Sequence, residues 1–156
     1  MRSAHPSRPD TIVGFTLIEL MMTLVILAIL AAIAIPSYSE FVTRSRLIDA
    51  HTKLGDLRIQ MEKYFQDNRT YVGGGGACGA DVALANYNAD PARAFEYSCP
   101  AVTATTYVLQ ADGRSAKGMT GFVFTVNEAN AKSSAGPTGW TAAANCWLVR
   151  KSGECS

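Results

Sequence analysis

Between Phe15 and Ile35, 18 of 21 residues are apolar, and Glu19 is the only charge between Asp10 and Glu40. Such a run is long enough to cross a bilayer once as a helix, and it is too apolar for the surface of an isolated water-soluble domain. The 156 residues of the chain leave room for one further domain of ordinary size. Both facts argue against a cytosolic globular enzyme and against a multi-span channel or transporter. Fourteen Lys and Arg against thirteen Asp and Glu give a net charge of +1, so the overall balance contains no polybasic partner surface.

Residues 1–14 are polar, carry Arg2, His5 and Arg8, and include Pro6 and Pro9. They read as a flexible leader on the cytoplasmic side, because positive charge tends to stay inside. Three readings compete for the apolar run. It is a plain signal anchor, or a secretory signal peptide cut at Ala32-Ile33-Ala34, or a helix retained after cleavage at Gly14–Phe15. Glu19 selects the third. A carboxylate five residues into an apolar helix costs roughly 2.5–3.5 kcal/mol at bilayer depth, and neither of the first two needs it. Cleavage before Phe15 creates an α-amino group one helical turn from Glu19, in the same chain or a neighbour, and so supplies the acid with a partner.

The ordered stretch Gly14-Phe15-Thr16-Leu17-Ile18-Glu19-Leu20, continued through Met21-Met22 to Pro36-Ser37-Tyr38, resembles the prepilin motif of type IV pilins and type II secretion pseudopilins. The resemblance implies cleavage after Gly14 by a membrane prepilin peptidase, N-methylation of Phe15, and a role for Glu19 in docking an incoming subunit. It also implies an inner-membrane, single-pass precursor with a cytoplasmic N-terminus, handed to an assembly machinery and then incorporated into an extracellular fibre.

Pro36 removes a backbone donor at the end of the apolar run and is expected to kink the helix there. Beyond it, Leu47, Ala50, Leu54, Leu57, Met61 and Tyr64 recur at alternating spacings of three and four, one apolar stripe on an amphipathic helix. Gly55 interrupts the stretch at about 1 kcal/mol relative to Ala. A continuous helix from Phe15 to Gln66 would be roughly 75 Å long, with its second half buried against a head domain. The first half needs lipid or copies of itself, and a head-to-tail contact that does not close produces a helical filament. His51, on this helix among charges, reads as a solvated residue.

From Asn68 the composition shifts to Gly, Ala, Asn, Ser and Thr with short aromatic or β-branched runs. Gly73 to Gly76 reads as a flexible loop. Phe95–Ser98, Thr106–Gln110 and Phe122–Val126 read as strands, with a fourth near Cys146–Val149. The expected fold class is α+β, in which the second half of a long helix packs on a small antiparallel sheet. The expected organisation is 1–14 leader, 15–36 transmembrane and assembly helix, 37–67 amphipathic helix, and 68–156 disulfide-bonded head, which is the type IV pilin fold that the resemblance implies.

Cys78, Cys99, Cys146 and Cys155 fall on the extracytoplasmic side, and an even count there reads as two disulfides. Of three connectivities, local loop closure favours Cys78–Cys99 and Cys146–Cys155, each contributing on the order of 3 kcal/mol in the chain-entropy model. The cysteines lack C-x2-C spacing, which argues against zinc, and no other metal or cofactor is expected.

The Tyr64–Tyr71 stretch, the strand ending at Cys99, Gly139-Trp140 and Cys146-Trp147 resemble minor pilins of the PilE type, a group similar to pilins that capture DNA during natural transformation. The first expectation is therefore a minor type IV pilin serving adhesion, twitching motility or DNA uptake. The alternative is a DNA receptor pilin, with Arg114, Lys117, Lys132, Arg150 and Lys151 as the contacts beside Trp140 and Trp147. These cations form a thin patch, offset by Asp112, Glu128 and Glu154, and ordinary solvated loops with core or semi-buried tryptophans account for them better. A type II secretion pseudopilin is a third reading; scattered Asp112, Glu128 and Glu154 do not form its calcium loop. No nucleophile motif or paired carboxylate points to catalysis.

Overall fold

In the computed structural model residues 14–155 are described, apart from the side chains of residues 34–37. Residues 1–13 of the leader, and the side chain of Pro36 where a kink is expected, lie outside the described residues. Helix α1 covers Leu17–Asn68. The chain divides into two compact units with the boundary between Ser39 and Glu40.

In the first unit the helix begins where Thr16 caps it, its Oγ1 accepting the Glu19 N–H at 3.2 Å. Ser or Thr at this position satisfies a donor that the first helical turn leaves orphaned. From Phe15 to Ile33 the large apolar side chains are between 54% and 81% exposed. The helix has a mean hydropathy of 2.7 over its most apolar 18 residues, enough to cross a membrane by length and composition.

The second unit, Glu40–Ser156, holds the whole core. On α1, Leu47, Ala50, Leu54, Leu57 and Met61 are each fully buried. They share one cluster with Phe95 and Tyr97, Tyr107, Leu109 and Ala111, and Phe124 and Val126. Those residues alternate along β1 (Phe95–Val102), β2 (Tyr107–Gly113) and β3 (Val123–Asn127), as a sheet with one buried face requires. With β4 (Lys132–Ala135) and β5 (Ala143–Ala144) they form an antiparallel meander in the order β1-β2-β3-β4-β5. Helix and sheet are also tied by a carboxylate. Glu62 accepts hydrogen bonds from the hydroxyls of Tyr71 and Tyr107, each at 3.0 Å. Burial, and then this carboxylate, raise both phenol pKa values.

Disulfides join Cys78 to Cys99 and Cys146 to Cys155. A unit with its own complete core and both crosslinks meets the physical requirement for folding independently.

Two expectations are corrected. The stretch Cys146–Val149 is not a strand; only Leu148 makes an isolated bridge, to Cys155. The fourth strand is the Lys-Ser-Ser-Ala segment of β4, whose composition carries no β signal. Pairing with β3 creates it, helped by the 2.6 Å hydroxyl contact between Thr125 and Ser133. A short helix α2, Asp81–Asn88, lies between the glycine-rich turn and β1. The Gly73–Gly76 stretch is a tight turn rather than a slack one. Gly73 N–H donates to Ala77 C=O at 2.7 Å, Val72 bridges Cys78, and Gly75 and Gly76 hold φ of 69° and 83°, values that suit residues without a Cβ.

Candidate assembly and nucleic-acid interface

Gly14 and Phe15 precede the first turn of α1, and Phe15 is 81% exposed. A Cβ built on Gly14 meets nothing within 4 Å, so the fold itself makes no demand for glycine there. Glu19 is exposed, and it stands three residues after the capping Thr16. Thr-x-x-Glu is the spacing of a capping box, which puts the acid at the positive end of the helix. The sequence carried this signal, and a reading of Glu19 through its charge alone passes over it.

In the head, the five cations expected near DNA are not gathered into one patch. Arg114 is tied down, its guanidinium donating to the carbonyls of Asp90 and Asn88 at 3.2 and 3.3 Å. Lys117 lies in the turn that follows, where its carbonyl accepts from Arg46 at 2.6 Å. Both belong to the β2–β3 connection. Lys132 opens β4 beyond the β3–β4 turn, so the meander puts it at the opposite end of β3.

Lys132 belongs instead to a groove of about 510 Å³ between α1 and the C-terminal segment. Arg44, Ile48, His51 and Thr52 line it from the helix; Lys132, Trp147, Val149, Glu154 and Cys155 line it from the other side. The Lys132 ammonium stands 4.3 Å from the centre of the Trp147 ring, and the indole N–H donates to Thr125 C=O at 2.9 Å. Beside the groove the chain makes a hairpin stapled by Cys146–Cys155. Val149 N–H donates to Glu154 C=O at 2.8 Å, and Gly153 N–H to Arg150 C=O at 3.1 Å, closing a turn on Gly153 at φ 86°. Arg150 and Lys151 are exposed at the tip. Arg150 also pairs with Glu154 at 3.1 Å, with both side chains about half exposed, so the pair is worth little. Arg44 joins this cationic rim unannounced by the sequence reading. The signal was its spacing to Ile48 and Thr52, which puts all three on one helical face.

His51 is a correction. It is 6% exposed, stacked on Trp147 at 5.2 Å and edge-on to Phe124 at 4.7 Å. Burial, followed by the Lys132 charge, lowers its pKa from 6.5 to about 4. Its spacing to Leu47 and Leu54 already put it on the core face. Trp147 is itself 5% exposed and offers no free face for base stacking, while Trp140 is partly buried, at right angles to Phe122 at 4.7 Å, and does not line the groove. This surface can therefore attract a phosphate backbone by charge, with little stacking to add. Among the described residues no group of three or more His, Cys, Asp or Glu is disposed to hold a metal ion.

Comparison with known proteins bears on both ends of the chain. The prokaryotic N-terminal methylation motif matches residues 14–35. The family described as "Type IV minor pilin ComP, DNA uptake sequence receptor" matches residues 36–121. A probable minor fimbrial protein of Dichelobacter nodosus is 44% identical over 62 residues, 40% of this chain and 39% of that protein. Fimbrial protein EcpC of Eikenella corrodens is 39% identical over 66 residues, 42% of this chain and 43% of that one. The chain thus spans about two-fifths of the length of these curated relatives. The crystal structure of the non-core minor pilin PilV of Neisseria meningitidis aligns with a TM-score of 0.50 at 19% identity, covering 64% of this chain and 92% of that one, which shows a shared fold. With the N-terminal motif, the helix-and-sheet head and a family match over more than half its length, the chain belongs to the ComP family of type IV minor pilins.

Proposed function

We propose that this minor pilin is a DNA receptor of a type IV pilus, engaging duplex DNA through the phosphate backbone. The observation that carries the reading is the match of residues 36–121 to a family described by its DNA uptake sequence receptor. Arg44 and Lys132 in the groove support it, as do exposed Arg150 and Lys151 on the disulfide-stapled hairpin beside it. Arg114 and Lys117 form a separate, weaker contact. Cleavage after Gly14 and methylation of Phe15 precede assembly. Glu19 then pairs with the α-amino group at Phe15 of a neighbouring subunit, and the apolar helix passes from the inner membrane into the fibre. The membrane peptidase and the assembly machinery are the partners of those steps.

The DNA reading is tested by fluorescence anisotropy of the oxidised 40–156 head with labelled duplex. Lys132→Ala, Arg150→Ala and Lys151→Ala together are expected to weaken binding about tenfold and to flatten the salt dependence by about three phosphate contacts. Unchanged affinity in that variant removes the site. N-terminal sequencing of the mature protein tests the processing: it is expected to start at Phe15, and a start at Ile35 overturns it.

A further inference from the structure

A sheet of order β1-β2-β3-β4-β5 leaves β1 with one edge that no strand pairs among the described residues. Exposed edges present rows of backbone donors and acceptors that can pair with another chain. Tyr97 lies in the middle of this edge, and its outward N–H and C=O are both taken by a single side chain. The Asn88 amide oxygen accepts the Tyr97 N–H at 2.8 Å, and the amide nitrogen donates to the Tyr97 C=O at 2.7 Å. That exchange of two bonds is what a residue of an adjacent antiparallel strand would make. Asn88 ends α2, and three contacts hold that end in place. Its carbonyl accepts from Arg114, Tyr87 packs on Tyr97 at 5.8 Å, and the Lys53 and Arg93 cations lie 5.1 and 5.3 Å from the centre of the Tyr87 ring. The Cys78–Cys99 disulfide closes the loop containing α2, so the cover cannot drift far from the edge. Further along the strand, Pro100 lacks an N–H and the register slips between Ser98 and Ala101.

We propose that the β1 edge is a strand-pairing surface for a second copy of this chain, held shut in the single chain by Asn88 and α2. Complementarity favours that occupant. An antiparallel pair centred on Tyr97 sets Glu96 opposite Ser98 and Phe95 opposite Cys99, with no like charges facing each other. Heads tethered side by side reach a high effective concentration, which is where an open edge becomes a liability and a closed one is needed. The inference stands apart from DNA binding and uses none of its residues except Arg114, through its contact with the cover.

Asn88→Ala leaves two backbone groups unpaired beneath α2, an arrangement that favours displacing the cover. The test compares wild-type and Asn88→Ala heads, residues 40–156, by light scattering across a concentration series and by amide exchange at Tyr97. Wild type is expected to stay monomeric with a protected Tyr97 amide. In the variant the apparent mass is expected to double with concentration. Its Tyr97 amide should exchange roughly tenfold faster when dilute and regain protection as the dimer forms. A variant that stays monomeric at every concentration, with a fast Tyr97 amide throughout, overturns the proposal. Should Asn88→Ala not fold, Asn88→Asp carries the test, since it keeps the acceptor and sets a carboxylate against the Tyr97 carbonyl. A concentration-dependent dimer supports the proposal, and a folded monomer throughout overturns it.

Discussion

One helix, α1, serves two regions under opposite rules. From Leu17 to Ile33 its apolar residues surround it on all sides and remain exposed, whereas from Leu47 to Met61 they form one stripe that is fully buried. A helix apolar all round has no preferred face and needs an apolar medium, while a striped one has a single face to hide and finds it within its own chain. The same residue types therefore face whatever surrounds the chain in the first region and stabilise its own fold in the second.

The largest effect expected from this contrast concerns assembly. Glu19→Ala is expected to leave cleavage after Gly14 intact, read by the mobility of the mature protein, while incorporation into fibres drops to near zero. Normal incorporation would remove the role assigned to Glu19. A sharper test of the contrast itself replaces one leucine in each region. Leu54→Ala, at a fully buried position, should destabilise the head by about 2–5 kcal/mol in urea unfolding. Leu24→Ala, at a position 57% exposed, should leave the unfolding of the head unchanged within about 0.5 kcal/mol while weakening assembly. Equal losses of head stability from both would break the distinction.

Acid probes the striped region through His51. Its folded pKa of about 4 lies below the ordinary 6.5, so between those values the unfolded chain binds the proton and the folded chain does not. Stability is expected to be fully present above pH 6.5, to fall as pH drops towards 4, and to level off below, by about 3 kcal/mol at most for this group. His51→Phe keeps a ring between Trp147 and Phe124 and should flatten that slope; an unaltered slope would assign the acid sensitivity elsewhere. The smallest effect separates two glycines. Gly55 is helical and its Cβ direction is open, so Gly55→Ala should stabilise the head by about 0.5–1 kcal/mol. Gly14→Ala, equally open, should leave head stability untouched and block processing.

Much of this architecture was legible in the residue order because it rests on local periodicity. The stripe from Leu47 to Met61 and the cores of β1, β2 and β3 follow from spacings of three to four and of two. His51 was legible too, by its spacing to Leu47 and Leu54, but its charged neighbours obscured it. The β4 strand was not legible, since Lys-Ser-Ser-Ala becomes a strand only when β3 supplies its hydrogen-bond partners. Nor was α2, too short for a period to show.

The sequence by itself determined the apolar run with its single acid and the buried face of the second half-helix. Each depends on residues within a turn or two of one another, where helical geometry relates position to direction. Only the tertiary structure decided which cations meet. Lys132 joined Arg44 in one groove, while Arg114 and Lys117 stayed at the other end of β3. It also decided that one asparagine closes the sheet edge at Tyr97. Those neighbours come from strand order and loop closure between distant segments, and no local spacing specifies either.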